Sequence, residues 1–255
     1  MHFAAHAYVG ESVTDPRKYF QNNVAAALTL LDAVVDAGIK YFVFSSTCAV
    51  YGTPEHMPIS ERTPCQPVSP YGVSKLFFER ALEAYGQAYG LRSVRLRYFN
   101  AAGAAESGDI GELHSPETHL IPLVLAACTD TGPELQIYGS DYPTPDGTCI
   151  RDYIHVSDLA DAHVRALQYL GNGGESLTVN LGTGQGHSVL EVIQAAEGIT
   201  GRRVRRKLAS RRPGDSPALV ADPSHAQAVF QWRAKHDLTE MISSAWKWMQ
   251  PDSRG

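Results

Sequence analysis

Ile39-Lys-Tyr-Phe-Val-Phe-Ser-Ser-Thr47 and Ser69-Pro-Tyr-Gly-Val-Ser-Lys75 decide how this chain is read. From Ile39 to Ser45 the first is a short apolar run, typical of a parallel strand covered on both faces. In the second, Ser69 reads as a helix N-cap and Pro70 as the first helical residue. Tyr71 and Lys75 then lie four residues apart on one helix face. A lysine cation beside a phenol favours the phenolate and lowers its pKa from about 10. Thr47 closes the strand and can hold a substrate hydroxyl near that phenol. Together these residues make a proton shuttle for carbinol–carbonyl chemistry. The bland alternative is a surface Tyr and Lys on an ordinary amphipathic helix, and the Ser-Ser-Thr ending of the preceding strand favours the shuttle.

Working outward, Met1-His-Phe-Ala-Ala5 reads as the end of a buried strand. A helix is predicted from about Arg17 to Ala37, with Phe20, Val24, Ala27, Leu28, Leu31, Val34 and Val35 at helical spacing and Gly38 as its stop. The helix opened by Ser69 runs to about Tyr89, and Ser93 to Asn100 reads as another strand. Strand and helix alternating with short links mean parallel βαβ units with right-handed crossovers. After Asn100 the rhythm breaks into a glycine-rich loop to about Glu117. Helices are predicted at about 119–129, 157–170, 188–200, 223–230 and 238–249, with short strands at Leu135–Tyr138 and Ile150–His155. The fold class is α/β: a parallel sheet over residues 1–103, then a smaller mixed α/β lobe over 104–255 with some elements returning to the sheet.

The chain has 255 residues, enough for a sizeable core. Hydrophobic residues are 44% and charged residues 19%, an ordinary globular composition. A formal net charge of -5 argues against a general nucleic-acid binder. The basic run Arg202-Arg-Val-Arg-Arg-Lys207 is better read as a solvated strand and turn than as a polyanion patch. Cys48, Cys65, Cys128 and Cys149 form no C-x-x-C and have no His-rich spacing beside them. Reduced cytosolic thiols and no metal site are therefore expected. No apolar run reaches membrane-spanning length, and no signal peptide is read at the N-terminus. The expected location is cytoplasmic.

Further segments carry a resemblance. They are Asn22-Asn-Val24, Arg97-Tyr-Phe-Asn-Ala-Ala-Gly103, Tyr142-Pro-Thr-Pro-Asp-Gly-Thr148, Arg151-Asp-Tyr-Ile-His155, Asn180-Leu-Gly-Thr-Gly184 and Arg212-Pro-Gly-Asp215. With the two opening segments, they resemble the extended short-chain dehydrogenase/reductase family, and within it the UDP-glucose 4-epimerases. The resemblance implies a Rossmann-like NAD-binding sheet and a UDP-sugar-binding lobe. It implies an isomerase that interconverts UDP-glucose and UDP-galactose by oxidation and re-reduction at C4, working as a homodimer. Tyr71 would be the catalytic base and acid. Lys75 would bind the nicotinamide ribose and depress the Tyr71 pKa, and Thr47 would hydrogen-bond the sugar 4-hydroxyl. Phe3, Ala4, Asn22, Ser45 and Tyr98 would line the NAD site. Asn100, His119, Leu120, Gln136, Tyr138, Arg151, Tyr153, Arg212 and Asp215 would hold the UDP-sugar. For Asp152 and His155 a local hydrogen-bonded turn is preferred to a catalytic role. Leu28, Leu31, Phe77 and Leu82 would contribute to a helix–helix dimer contact.

Two departures qualify the resemblance. A dinucleotide fold needs a first βαβ unit whose glycine-rich turn sets pyrophosphate at a helix N-terminus. No such turn is present, and Gly182-x-Gly184-x-Gly186 lacks the spacing. The expectation is a chain truncated in the N-terminal half of its Rossmann-like region, with weak NAD binding. Leu219, moreover, stands where some family members carry an aromatic residue in the sugar pocket. More room there implies tolerance of UDP-N-acetylhexosamines. The other readings are a UDP-pentose epimerase and a non-catalytic UDP-sugar-binding module. A 4,6-dehydratase or decarboxylase would need an acid beside Thr47, where this chain has Cys48-Ala49.

Overall fold

Strand β1 (Tyr41–Thr47) is buried at every position after Tyr41, so both of its faces are covered, as the apolar run predicts. A computed structural model describes residues 1–212 and 214–250; Pro213, within the Arg212–Asp215 segment, lies outside the described residues. Among them the chain forms two compact units. The first comprises Met1–Tyr98, Asp161–Leu181 and Asp222–Trp232; the second comprises Phe99–Ala160, the described part of Gly182–Ala221, and 233–250.

In the first unit β1 pairs in parallel with β2 (Arg92–Tyr98), and β2 with β6 (Leu177–Leu181). The register aligns Thr47 with Tyr98, bringing the C-terminal ends of β1 and β2 together. Sequence reading did not pick out β6, which supplies the sheet's third strand from the second half of the chain. The strand expected over Met1–Ala5 is confined to one bridge, His2 to Phe44.

Helices α1 (Val9–Thr14), α2 (Pro16–Phe20), α3 (Ala27–Asp36) and α4 (Pro70–Tyr89) precede β2. The helix predicted over 17–37 is interrupted by a π-helical turn at Gln21–Ala26. That turn shifts the helical phase. Phe20 is consequently exposed, while Asn23 is buried and bonds the His6 carbonyl and Ser74 Oγ at 2.9 and 3.2 Å. Beyond the turn, Ala27, Leu31 and Val34 pack with Phe42, Phe44, Phe78, Leu82 and Leu91. Leu31 and Leu82 are fully buried in this core and Leu28 packs against it. Of the four side chains expected at a dimer contact, only Phe77 is exposed. The sheet-facing stripe claimed the others.

Helix α4 begins where the sequence places it. Ser69 Oγ accepts the Gly72 amide at 3.2 Å, and Pro70 occupies the first turn. Gly72 lies so close to the preceding 3₁₀ turn (Cys48–Tyr51) that a Cβ there would sit 2.6 Å from the Ala49 carbonyl oxygen.

In the second unit β3 (Asn100–Ala102) pairs in parallel with β5 (Ile150–His155). Strand β5 also pairs with β7 (Gly186–Ser188) and β9 (Ala218–Leu219), while β4 (Leu135–Tyr138) pairs with β8 (Arg206–Ala209). Its core gathers Val124 and Leu125 of α5 (Leu120–Ala127), Val192 and Ile193 of α7 (Val189–Thr200), and Met241 and Ile242 of α9 (Leu238–Met249). Arg206, Lys207 and Leu208 in β8 are exposed, so the basic run is a solvated strand. The remaining helices are α6 (Val156–Gly171) and α8 (Ser224–Phe230). All four cysteines are free thiols. Among the described residues no helix is long and apolar enough to cross a membrane.

Candidate active site

Tyr71 and Lys75, the helix pair singled out first, are not surface residues: they are 8% and 5% exposed. Thr47 ends β1 at 7% exposure. Its Oγ1 accepts the Ala49 amide at 3.1 Å, capping the 3₁₀ turn. With one lone pair so engaged, the hydroxyl proton remains to be donated, and the Thr47 hydroxyl draws the Tyr71 phenol's pKa down.

The electrostatics differ from the simple expectation. Burial, aided by the Tyr98 phenol, pushes the Tyr71 phenol above its ordinary range, and the Thr47 hydroxyl only partly offsets this. Burial also pushes Lys75 down to about 8, against the pull of Glu79. Lys75 Nζ does not spend itself on Tyr71. It donates to the Ser45 carbonyl at 2.8 Å and lies 4.8 Å from the centre of the Phe44 ring. Side-chain spacing of four set the common helix face correctly, but the ammonium's position was decided by a backbone carbonyl on β1.

Three of the residues expected around the cofactor, Phe3, Ser45 and Tyr98, gather around a side chain that sequence reading missed. His163 Nε2 lies 2.8 Å from Ser45 Oγ, and its ring lies 4.7 Å from the Phe3 ring and 6.3 Å from the Tyr98 ring. Burial raises the Tyr98 phenol's pKa, and Ser45 partly offsets that. No local pattern signals His163, which is 118 residues from Ser45. Asn22 donates to the Asn23 side chain at 3.0 Å, and Ala4 is exposed.

Beneath this group runs a second unanticipated feature. Arg97 makes a forked contact with Glu79, Nε to Oε1 at 3.0 Å and Nη2 to Oε2 at 2.5 Å. Ser46 donates to the same carboxylate at 2.5 Å, and Arg97 Nη1 donates to the Tyr51 hydroxyl at 3.0 Å. Tyr51 in turn donates to Asn180 at 2.7 Å. Burial opposes the Arg97 charge, but the Glu79 bonds outweigh it and hold the guanidinium fully protonated.

In the second unit the residues expected at the UDP-sugar fall into distinct places. Arg151 donates to the Ile150 and Ser216 carbonyls at 2.8 and 2.9 Å and approaches Asp215 at 3.7 Å. Arg212 donates to Asp215 at 2.8 Å and lies 4.9 Å from the Tyr138 ring centre. Leu219 is opposite Arg151 in the β5–β9 register. These five form one cluster. Gln136 shares the exposed face of β4 with Tyr138. Tyr153 is instead a core residue, 4% exposed, opposite Asn100 in the β3–β5 register. His119 is the N-cap position of α5 and Leu120 its first residue. The Glu112 bond, working against burial, holds the His119 imidazole above its ordinary pKa.

Asp152 and His155 take structural parts. Asp152 is fully buried and accepts from Thr183 N, Thr183 Oγ1, Gly184 N and Ala221 N at 2.7–3.1 Å. It thereby fastens the Gly182–Gly186 loop. His155 Nδ1 accepts the Ser157 amide at 3.1 Å, so the proton sits on Nε2, which donates to Ser244 at 3.0 Å.

A parallel α/β sheet with a buried Thr–Tyr–Lys constellation defines a class, and comparison agrees: the chain belongs to the NAD dependent epimerase/dehydratase family, matched over residues 1–182. Within it, the UDP-glucose 4-epimerase of Rhizobium meliloti (strain 1021) is 51% identical over 255 residues, covering 100% of this chain and 78% of that relative. The UDP-glucose 4-epimerase of Brucella ovis, solved in complex with NAD, superposes with a TM-score of 0.92 at 51% identity, covering 96% of this chain and 76% of that one. The enzyme of Stenotrophomonas maltophila, with NAD and formylated UDP-arabinopyranose bound, gives 0.93 at 47% identity over 97% of this chain and 74% of that one. The fold is therefore the Rossmann-like, NAD-binding one.

The first unit fits one end of NAD. Lys75 Nζ is buried with one carbonyl bond, leaving donors for a ribose hydroxyl pair beside the Tyr71 phenol. Among the described residues no glycine-rich strand-to-helix turn offers a pyrophosphate cradle, because the Gly182–Gly186 loop leads into β7 and is tied to Asp152.

Proposed function

We propose that this chain interconverts UDP-glucose and UDP-galactose at C4. The observation that carries the reading is the shared burial of Thr47, Tyr71 and Lys75, with Tyr71 one helical turn from Lys75 and its phenol influenced by the Thr47 hydroxyl. When bound, NAD supplies the hydride chemistry at C4. Tyr71 Oη takes the proton from the sugar 4-hydroxyl and later returns it. Thr47 orients that hydroxyl through its Oγ1–H. Lys75 brings a positive charge that favours the phenolate once Tyr71 gives up its proton to solvent or substrate. Ser45, Phe3 and Tyr98, gathered around His163, enclose the nicotinamide end, and Ala4 and Asn22 are assigned to the same cofactor. Arg151 and Arg212, both turned to Asp215, would exchange that carboxylate for a diphosphate through charge-assisted bonds. Asn100, His119, Leu120, Gln136, Tyr138 and Leu219 complete the UDP-sugar contacts, and the buried Tyr153 supports them from the core. We read the protein as a cytoplasmic homodimer, supported by the exposed apolar side chains Leu30, Val73, Phe77 and Tyr89 on α3 and α4.

The test is conversion of UDP-galactose to UDP-glucose with NAD present, in wild type and Tyr71→Phe. Removing a proton-transfer group should lower kcat by about 10²- to 10⁴-fold, with binding of UDP retained. A Tyr71→Phe variant as active as wild type would overturn the assignment.

A further inference from the structure

The loop between β3 and α5 gathers four metal-ligating side chains, only one of which the proposed reaction uses. Glu112, His114, Glu117 and His119 each bring one ligand atom, and these atoms all lie within 4.8 Å of one another. The Nδ1 atoms of His119 and His114 point at the same carboxylate oxygen, Glu112 Oε1, at 2.5 and 2.8 Å. His114 Nδ1 also lies 3.6 Å from Glu117 Oε1. The two rings stand edge-on, 82° apart with centroids 5.2 Å apart, so both nitrogens reach one point without the rings colliding.

Two imidazole nitrogens and two carboxylate oxygens are a tetrahedral donor set. With zinc bonds of about 2.0–2.2 Å, neighbouring donors of a tetrahedron stand about 3.4 Å apart. The separations here bracket that value. Neutral imidazoles with two carboxylates carry two negative charges, which a divalent ion neutralises. The nitrogen donors select a zinc-class ion over calcium or magnesium, which take oxygen.

The donors are also held. Trp248 Nε1 donates to the Glu112 carbonyl at 3.1 Å. Gly111 lies against the Trp248 ring, where a Cβ would come within 2.3 Å. Glu117 Oε1 accepts the amides of Thr118 and His119 at 2.7 and 2.8 Å, fixing its carboxylate on the cluster.

We propose that Glu112, His114, Glu117 and His119 bind one divalent transition-metal ion of the zinc class, which ties this loop to the start of α5. The ion takes His119 through Nδ1 and leaves its other ring nitrogen for a second partner. This site departs from the sequence reading, which expected no metal and weighed only the cysteines.

The test titrates Co²⁺ into the metal-stripped full chain, without NAD or nucleotide, followed by Zn²⁺ displacement. One equivalent with the intense visible absorption of a tetrahedral cobalt site is expected. His114→Ala should weaken binding by at least about tenfold, a loss seen even when only an orienting partner of a metal ligand is removed. His114→Cys should keep the ion and add a thiolate-to-cobalt charge-transfer band. His114 is exposed, so both variants should keep the wild-type circular dichroism. A weak octahedral spectrum, an affinity unmoved in His114→Ala, or no charge-transfer band in His114→Cys would each overturn the site. Because no turnover is measured, the result is independent of the epimerase reading.

Discussion

Glu79→Gln should destabilise the first unit severely while changing almost no volume. In the wild type the Glu79 and Arg97 side chains are 2% and 7% exposed, and their fork closes at 2.5 and 3.0 Å. Glutamine keeps the shape and one acceptor oxygen but leaves the Arg97 guanidinium buried without a counter-charge. Losing one partner of a buried pair costs about 3–5 kcal/mol. With a urea slope of roughly 2–3 kcal/mol per molar, the midpoint should fall by about 1–2 M. Far-UV circular dichroism in urea reads this directly. A double variant, Glu79→Met with Arg97→Met, removes both charges and should recover most of the loss, since apolar replacement of a buried pair is often neutral or better. If Glu79→Gln costs under about 1 kcal/mol, as an exposed pair would, the guanidinium is not truly desolvated. If the double variant is as unstable as the single one, Tyr51 and Ser46, not charge burial, set the cost. Either result would refute the reasoning. The pair also reaches the candidate site. Glu79 is the one charge that opposes the burial-driven fall of the Lys75 pKa, so in Glu79→Gln that pKa should drop further below about 8.

Lys75 gives the protein an unusual alkaline response. Its folded pKa of about 8 lies below the free value, so above pH 8 the unfolded chain holds a proton that the folded chain has released, and stability rises with pH. The rise ends near pH 10, where unfolded tyrosines ionise while buried ones such as Tyr71 resist; across that window it amounts to roughly 2–3 kcal/mol. Urea midpoints at pH 7.5 and 9.5 in wild type and Lys75→Met isolate the lysine, and equal slopes in the two proteins would rule out the depressed pKa. Gly72→Ala inverts the usual helix rule. Alanine normally gains about 1 kcal/mol over glycine inside a helix, but here its Cβ would meet the Ala49 carbonyl oxygen at 2.6 Å. A loss of about 1–3 kcal/mol is expected, whereas Gly198→Ala in α7, with nothing within 4 Å, should stabilise; a stabilised Gly72→Ala would contradict the close approach.

What was legible in the sequence follows from the range of the interactions involved. The β1 strand, the Ser69 cap and the shared face of Tyr71 and Lys75 are set by residues within one turn or one strand, and each stands where local pattern places it. Thr47 belongs with them, because a strand's end is marked by the turn that follows. The π-helical turn escaped because it conserves apolar spacing on both sides and changes only the phase between them, which exposed Phe20 and buried Asn23. His163, β6 and the Glu79–Arg97 fork escaped for another reason: each depends on strand order, which spacing along the chain does not encode. Arg97 on β2 meets Glu79 on α4 because β1 and β2 are neighbours under that helix, and Asn180 joins them because β6 returns beside β2. The Tyr71 phenol combines both lessons. Its helix face follows the local pattern, yet its proton affinity moved upward, because Lys75 is drawn to the Ser45 carbonyl and burial then dominates. A helix face can thus be read from sequence. The charge state on that face is set by how deeply the sheet buries it, and that is where substrate and cofactor have work left to do.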